Sequence, residues 1–212
     1  MLTKYGIMMV CDEVMCGLGR TGEWFAVDHY DVVPDILCMA KGITSAYLPL
    51  GVVAVSPEIA KSFDEKMYYG GLTYNAHPMS LAAGVATMKV MEDEKLVDAS
   101  KAMGVHLRAN LERMKERHPC VGDVRSIGLF GAMELVKDRD TKESIMAPMT
   151  MMCPAMAEYM AFVRSRGVFM FNVGNILHTN PPLVITKQQI EEAFEIIDEG
   201  LYIIDAVYTG KQ

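Results

Sequence analysis

The sequence predicts an α/β fold built in two parts, and two observations predict it. Along residues 1 to about 88, short apolar runs ending in polar residues alternate with glycine-containing loops and helix-forming stretches, the pattern of a parallel sheet covered by helices. From about residue 95 the pattern changes to a long charged helix, a hairpin-like pair and further short strands and helices, a smaller α+β layer. The expected parts are therefore residues 1–94 and 95–212. An apolar fraction of 51% in 212 residues is ample for packed cores.

Local chemistry predicts each element. Residues 7–11, 35–39 and 51–55 are apolar runs too short for helices and read as strands. A helix begins after Ser56, which can cap it, with Pro57 suited to the first turn and Glu58 complementing the positive end of the dipole. A longer helix follows over 78–90, with Leu81, Ala82, Val85, Met88 and Val90 supplying its apolar side. In the second part a helix is expected over 96–117, a hairpin over 121–127 and 129–136, a helix over 154–164 and strands over 168–171 and 176–179. Thr186 caps a last helix over 187–207, where Ile190, Phe194, Ile197 and Leu201 fall at helical spacing.

Composition excludes several function classes. A formal net charge of −7 without a basic stripe argues against general affinity for nucleic acid. Five cysteines without C-x-x-C spacing suggest neither a disulfide framework nor a zinc site, and a reducing cytoplasm is the expected setting. No apolar run of about 18 residues and no signal-like start is present, so membrane insertion and export are not expected. The five histidines lack ligand spacing. Nineteen methionines, with a cluster at Met146, Met149, Met151, Met152 and Met156, read as fillers of irregular apolar gaps rather than a metal site.

The chemistry starts from Asp12, at the end of one apolar run, and Lys41, which follows 29 residues later beyond another. Side chains at the carboxyl ends of strands in open α/β sheets face the ligand crevice, so the two can meet there. A carboxylate and an amine converging on one crevice suit pyridoxal phosphate: the amine holds the aldehyde as an imine, and the carboxylate keeps the pyridine nitrogen protonated. A rival reading of Asp12-Glu13 as a nucleotide-hydrolysing acidic pair requires a G-x-x-x-x-G-K-[ST] loop, which the chain lacks. Gly17-Leu18-Gly19-Arg20-Thr21-Gly22 is likewise a poor dinucleotide fingerprint.

The combination is more specific. D-E-V-x-x-G-x-G-R-T-G from Asp12, P-D-I from Pro34, A-K-G-I around Lys41, Pro49-Leu50-Gly51 and G-x-T-Y-x-A-H-P across 71–78 resemble class III aminotransferases in order and spacing. The G-L-F-G-A-M-E-L segment from Gly128 and the P-P-L-V-I-T segment from Pro181 extend the resemblance along the chain. Within the family the wording is most similar to pyruvate-dependent ω-aminotransferases, including those acting on taurine. The resemblance implies a fold type I pyridoxal-phosphate enzyme with part of the large domain and a C-terminal small domain. The implied reaction moves an amino group from a terminal amine, such as taurine or an ω-amino acid, to pyruvate, in a homodimer or higher homo-oligomer.

Carried over by position, the resemblance makes Lys41 the Schiff-base lysine, with a partly desolvated pocket lowering its pKa, and later the group that moves the substrate proton. Asp12 becomes the carboxylate on the pyridine nitrogen, Val14 the branched residue packed on the ring and Thr73 the residue reaching the phosphate in the neighbouring subunit. Glu13 is open between a loop-backbone role and indirect support of the ring, Arg20 is expected to stitch its loop, and His77 belongs to helix entry or an interface.

Two departures matter. Many relatives carry an arginine for the acceptor carboxylate where this chain has Phe171, which leaves Arg125 or a different head-group contact as the alternative. The chain also resembles only the C-terminal half of such enzymes, so an opened sheet with exposed apolar faces and dependence on a partner chain is expected. A non-catalytic assembly piece and aminomutase or racemase chemistry on the same scaffold are the other readings.

Overall fold

The computed structural model describes residues 2–147, 150 and 152–211; of the clustered methionines, Met149 and Met151 lie outside the described residues. The chain divides into two compact units, with the break between Asp98 and Ala99.

In the first unit β1 (Val10–Asp12), β2 (Ile36–Met39) and β3 (Val52–Val55) form a sheet in that order. Strands β1 and β2 run parallel with Asp12 opposite Cys38, and the Glu13 N–H donates to the Cys38 carbonyl at 2.9 Å just past the pair. β1 begins later than expected because the Met9 backbone is taken up beforehand. Its N–H donates to Asp35 Oδ2 at 2.7 Å, and its carbonyl accepts from the N–H groups of Asp35 and Ile36.

The expectation of a parallel sheet holds for β1 and β2 alone, because β3 pairs antiparallel to β2, with Met39 opposite Val52 and Ile36 opposite Val55. A parallel return needs a crossover, usually a helix. Between β2 and β3 the chain instead makes one 3-10 turn, Lys41–Thr44, and doubles back through Ser45 and Ala46, both left-handed at φ 49° and 62°. A second 3-10 turn, Ala26–Tyr30, lies between β1 and β2.

Helix α1 (Pro57–Lys61) is capped as expected, Ser56 Oγ accepting from Ile59 N–H at 3.4 Å. Helix α2 (Pro78–Asp93) differs in its facing: Ser80, Gly84 and Met91 are buried, whereas Leu81, Val85, Met88 and Val90 are exposed. The small face wins because α2 lies close against the loop after β2, where a Cβ on Gly84 would stand 3.1 Å from Leu50 and 3.6 Å from the Ile43 carbonyl oxygen.

The second unit comprises α3 (Leu96–Arg117, beginning just before the break), β4 (Val121–Ile127), β5 (Phe130–Asp138), the short β6 (Glu143–Ser144), α4 (Pro154–Ser165), β7 (Phe171–Val173), β8 (Ile176–Thr179) and α5 (Lys187–Asp205). The strands form an antiparallel sheet in the order β4-β5-β8-β7, with β6 on β5. Leu111 and Met114 of α3, Met133 and Leu135 of β5, Tyr159 of α4 and Leu201 of α5 are fully buried in one core, which supplies the unit's main hydrophobic stabilisation. Thr186 caps α5 through a reciprocal box: its hydroxyl accepts from Gln189 N–H and Gln189 Oε1 accepts from Thr186 N–H. The strand expected over 168–171 starts only at Phe171. The β7–β8 turn through Gly174, at φ +58°, pairs Phe171 with His178, and Pro181 and Pro182, without N–H groups, end the ladder just beyond Thr179.

Candidate active site

Strand order brings the expected residues to one end of the first sheet. Asp12 is the last residue of β1, and Lys41 follows the end of β2 by two positions. One carboxylate oxygen of Asp12 accepts from Val14 N–H at 3.0 Å, a local turn bond. Lys41 extends so that its ammonium lies against the Met15 sulfur, three residues beyond Asp12. Both Asp12 and Lys41 are exposed here, so neither side chain sits in the desolvated pocket expected for the amine. Lys41 also has φ +45°, a left-handed conformation that a residue with a Cβ adopts at a cost.

Lys41 and Thr73 line one open cleft of about 1070 Å³, together with Thr44, Tyr74, His77 and Ser80. Asp12 and Val14 are not among its lining residues, so the structure joins Lys41 to Thr73 by a shared cleft and to Asp12 by strand register. Thr44 and Ser80 are buried polar residues that sequence reasoning passed over. Thr44, three residues after Lys41, donates its hydroxyl to the Leu48 carbonyl at 2.6 Å and pins the cleft wall. His77 occupies the N-cap position of α2 without a side-chain cap bond, with its ring 6.4 Å from that of Tyr74.

Of the alternatives left open for Glu13, the backbone role is the one present. Glu13 is 2% exposed, and its two carboxylate oxygens accept from the N–H groups of Ala26 and Val27 at 3.0 and 2.9 Å, at the start of the 3-10 turn. The intervening loop turns at Leu18, Gly19 and Gly22, all with positive φ, and the Gly22 N–H donates to the Gly19 carbonyl. Burial lowers the Arg20 pKa, and burial together with Glu13 pushes the Cys16 thiol up to about 11.

In the second unit Arg125 is already engaged, by Glu134 at 2.7 Å and Asp123 at 3.4 Å, which argues against its serving as a spare carboxylate receptor. Phe171 stacks on its register partner His178, with ring centroids 4.5 Å apart and planes 7° from parallel.

The fold is that of an aminotransferase. The family model for class III aminotransferases matches residues 1–201, and the chain belongs to that family. It is 36% identical over 194 residues to the putrescine–pyruvate aminotransferase of Pseudomonas aeruginosa, covering 90% of this chain and 41% of that protein. It is 34% identical over 211 residues to the taurine–pyruvate aminotransferase of Bilophila wadsworthia, covering 95% and 46%. The solved taurine:2-oxoglutarate aminotransferase of Bifidobacterium kashiwanohense, in complex with PLP and glutamate, superposes with a TM-score of 0.93 at 39% identity, covering 98% of this chain and 46% of that one. The chain thus spans about half the length of the relatives it matches. Class III aminotransferases are PLP-dependent, and PLP and PLP-dependent fold type I architecture are those of these neighbours. No helix among the described residues is long and apolar enough to cross a membrane.

Proposed function

We propose that this chain carries the lysine-bearing part of an aminotransferase that moves an amino group from a terminal amine, such as taurine or an ω-amino acid, to pyruvate, with pyridoxal 5'-phosphate as cofactor. The donor set of the first unit supports the reading: an exposed primary amine and an exposed carboxylate at the same end of the sheet. An aldehyde needs such an amine, and a protonated pyridine nitrogen such a carboxylate. When bound, the cofactor supplies the electron sink that makes cleavage of the substrate C–H bond feasible.

Lys41 Nζ is the anchoring nucleophile. Once freed by a substrate amine, the same nitrogen would take the proton from the substrate carbon as a base and deliver it, as an acid, to the cofactor carbon that had carried the aldehyde. Asp12 holds its negative charge for the ring nitrogen, Val14 presents its branched side chain to the ring, and Thr73 offers its hydroxyl to the phosphate held in a neighbouring subunit. A homodimer is supported by apolar residues left in water on α2 and the preceding segment, including Tyr69, Leu72, Tyr74 and Val85. Five unpaired cysteines support a reducing, cytoplasmic setting.

The single observation carrying this reading is the Asp12–Cys38 register that delivers Lys41 to Asp12's end of the sheet. The test is addition of pyridoxal phosphate to the purified chain: absorbance at about 420 nm, trapped by borohydride, is expected in the wild type and absent from Lys41→Ala. Equal trapping in both proteins would overturn the assignment of Lys41. A screen of amines with pyruvate then identifies the donor.

A further inference from the structure

His118 follows Arg117, the last residue of α3, and its N–H donates to the Met114 carbonyl, so its ring stands at the negative end of that helix dipole. It meets the negative end of α5 as well. Nδ1 lies 2.6 Å from Asp205 Oδ2, on the last residue of α5, and Nε2 lies 2.8 Å from Asp198 Oδ1, on the same helix. Two helix ends and two carboxylates converge on one buried ring, a setting that favours its charged form.

The other groups facing the ring come from every element around it. Arg117 on α3 meets Asp198 at 3.1 Å, Tyr202 on α5 packs edge-on to the ring, and Arg139, just after β5, donates to the His118 carbonyl. Cys120, just before β4, donates its N–H to Asp205 Oδ1 at 3.1 Å, and burial together with Asp205 pushes its thiol up, so it stays uncharged. Burial alone pulls His118 down, but the bonds to Asp205 and Asp198 outweigh it and its pKa is raised.

The two carboxylates do not bear the loss of the ring proton equally. A neutral imidazole keeps one N–H, so one of them then faces a lone pair. Asp198 lies inside α5 and keeps Arg117. Asp205 is held by the ring and by the Cys120 N–H, and it closes the helix, where the dipole disfavours a carboxylate. The segment after it is lightly held. Ala206 and Val207 are exposed, the N–H groups of Thr209 and Gly210 share the Lys137 carbonyl at 2.8 and 3.1 Å, and the half-buried Tyr208 accepts from Arg139 N–H at 3.3 Å through its hydroxyl. Segments with so few buried contacts open locally at low cost.

We propose that His118 is a pH-operated clasp: its imidazolium holds the last turn of α5 and the segment 206–211 against the end of α3, and loss of the ring proton releases both while the rest of the unit stays folded. The clasp lies wholly in the second unit and does not rest on the aminotransferase reading.

Amide relaxation of the isotope-labelled full chain is the test, with the His118 Hε1 shift following the ring from about pH 6 to 9. Order parameters of Val207, Thr209 and Gly210 are expected to fall from about 0.85 to below about 0.6 with the midpoint of the His118 shift, while Met133 in β5 and Tyr159 in α4 stay near 0.85. In Asp205→Asn the segment should be mobile across the whole range. Circular dichroism checks that the variant folds, and the wild-type titration carries the test if it does not. A segment that keeps its order through the His118 titration, a His118 that does not titrate in this range, loss of order at Met133 and Tyr159 along with the segment, or a folded Asp205→Asn that still titrates as the wild type overturns the proposal.

Discussion

His118 Nδ1 donates to Asp205 Oδ2 at 2.6 Å, joining the end of α3 to the end of α5 through a fully buried ring. The other ring nitrogen donates to Asp198 Oδ1 at 2.8 Å, Tyr202 packs edge-on at 4.8 Å, and Arg117 meets Asp198 at 3.1 Å. Arg139 donates to the His118 carbonyl, and the Cys120 N–H donates to Asp205 Oδ1. Burial alone pulls the His118 pKa down, but the hydrogen bonds to Asp205 and Asp198 outweigh it and the net direction is up. For Asp205 burial pushes up, and the bonds from His118 and Cys120 bring the net direction down.

These directions set a pH window. A raised histidine contributes stability fully below its unfolded value of about 6.5 and loses it as pH rises through the folded value. A depressed aspartate contributes above its unfolded value of about 3.9 and loses it as pH falls through the folded value. The cluster's contribution is therefore greatest from about pH 4 to 6.5. Urea midpoints measured across pH 4–9 are expected to fall on the alkaline side. In Asp205→Asn that decline should flatten and stability drop by roughly 3 kcal/mol, the cost of leaving one partner of a buried pair. A decline unchanged in the variant would remove the cluster as its source.

Gly104, inside α3, passes so close to Gly128 that a Cβ would lie 2.6 Å from its Cα and 2.7 Å from its carbonyl oxygen. Alanine improves helix propensity by about 1 kcal/mol, but backbone cannot rotate away as a side chain can. Gly104→Ala is expected to lower stability by about 2 kcal/mol net, whereas Val105→Ala, next along the helix at a site 68% exposed, should be near neutral. Differential scanning calorimetry of the two variants makes the comparison.

What was legible in the sequence is what short-range chemistry encodes. Thr186 with Gln189 announces the start of α5, Ser56 with Pro57 that of α1, and the 96–117 helix emerges with the bounds expected for it. The 3-10 turns at Ala26–Tyr30 and Lys41–Thr44 are too short to carry a period. The direction of β3 is written in the connection before it rather than in its own apolar run. On α2, periodicity reveals an apolar side but not what covers it, and Gly84 turns a different side to the core. For the site, motif spacing marks Asp12, Lys41 and Thr73, but Met15 beside Lys41 and the backbone amides of Ala26 and Val27 on Glu13 depend on the folded loop.

Glu13 is the anchor of that loop, since both of its oxygens are committed to backbone donors in a site closed to water. Glu13→Gln keeps one acceptor and presents an NH₂ to the other N–H, which then has no acceptor. A loss of about 2 kcal/mol is expected, with faster limited proteolysis between Val14 and Tyr30. Because the role is structural, borohydride trapping per folded molecule should stay at the wild-type level.

Lys41 pairs chemical necessity with conformational cost. Its φ of +45° is one that L residues adopt at about 1–3 kcal/mol and glycine adopts freely. In the proposed function the amine requires a side chain at this position, so the strain would be retained where the chemistry is proposed. The two effects separate in a pair of variants: Lys41→Ala removes the amine and keeps the Cβ, whereas Lys41→Gly removes both. Covalent trapping of pyridoxal phosphate should vanish in each. Against Lys41→Ala, Lys41→Gly should be the more stable by about 1 kcal/mol, the left-handed penalty less glycine's extra unfolded-state freedom. Equal urea midpoints for the two would mean that the turn after β2 holds no strain at this residue.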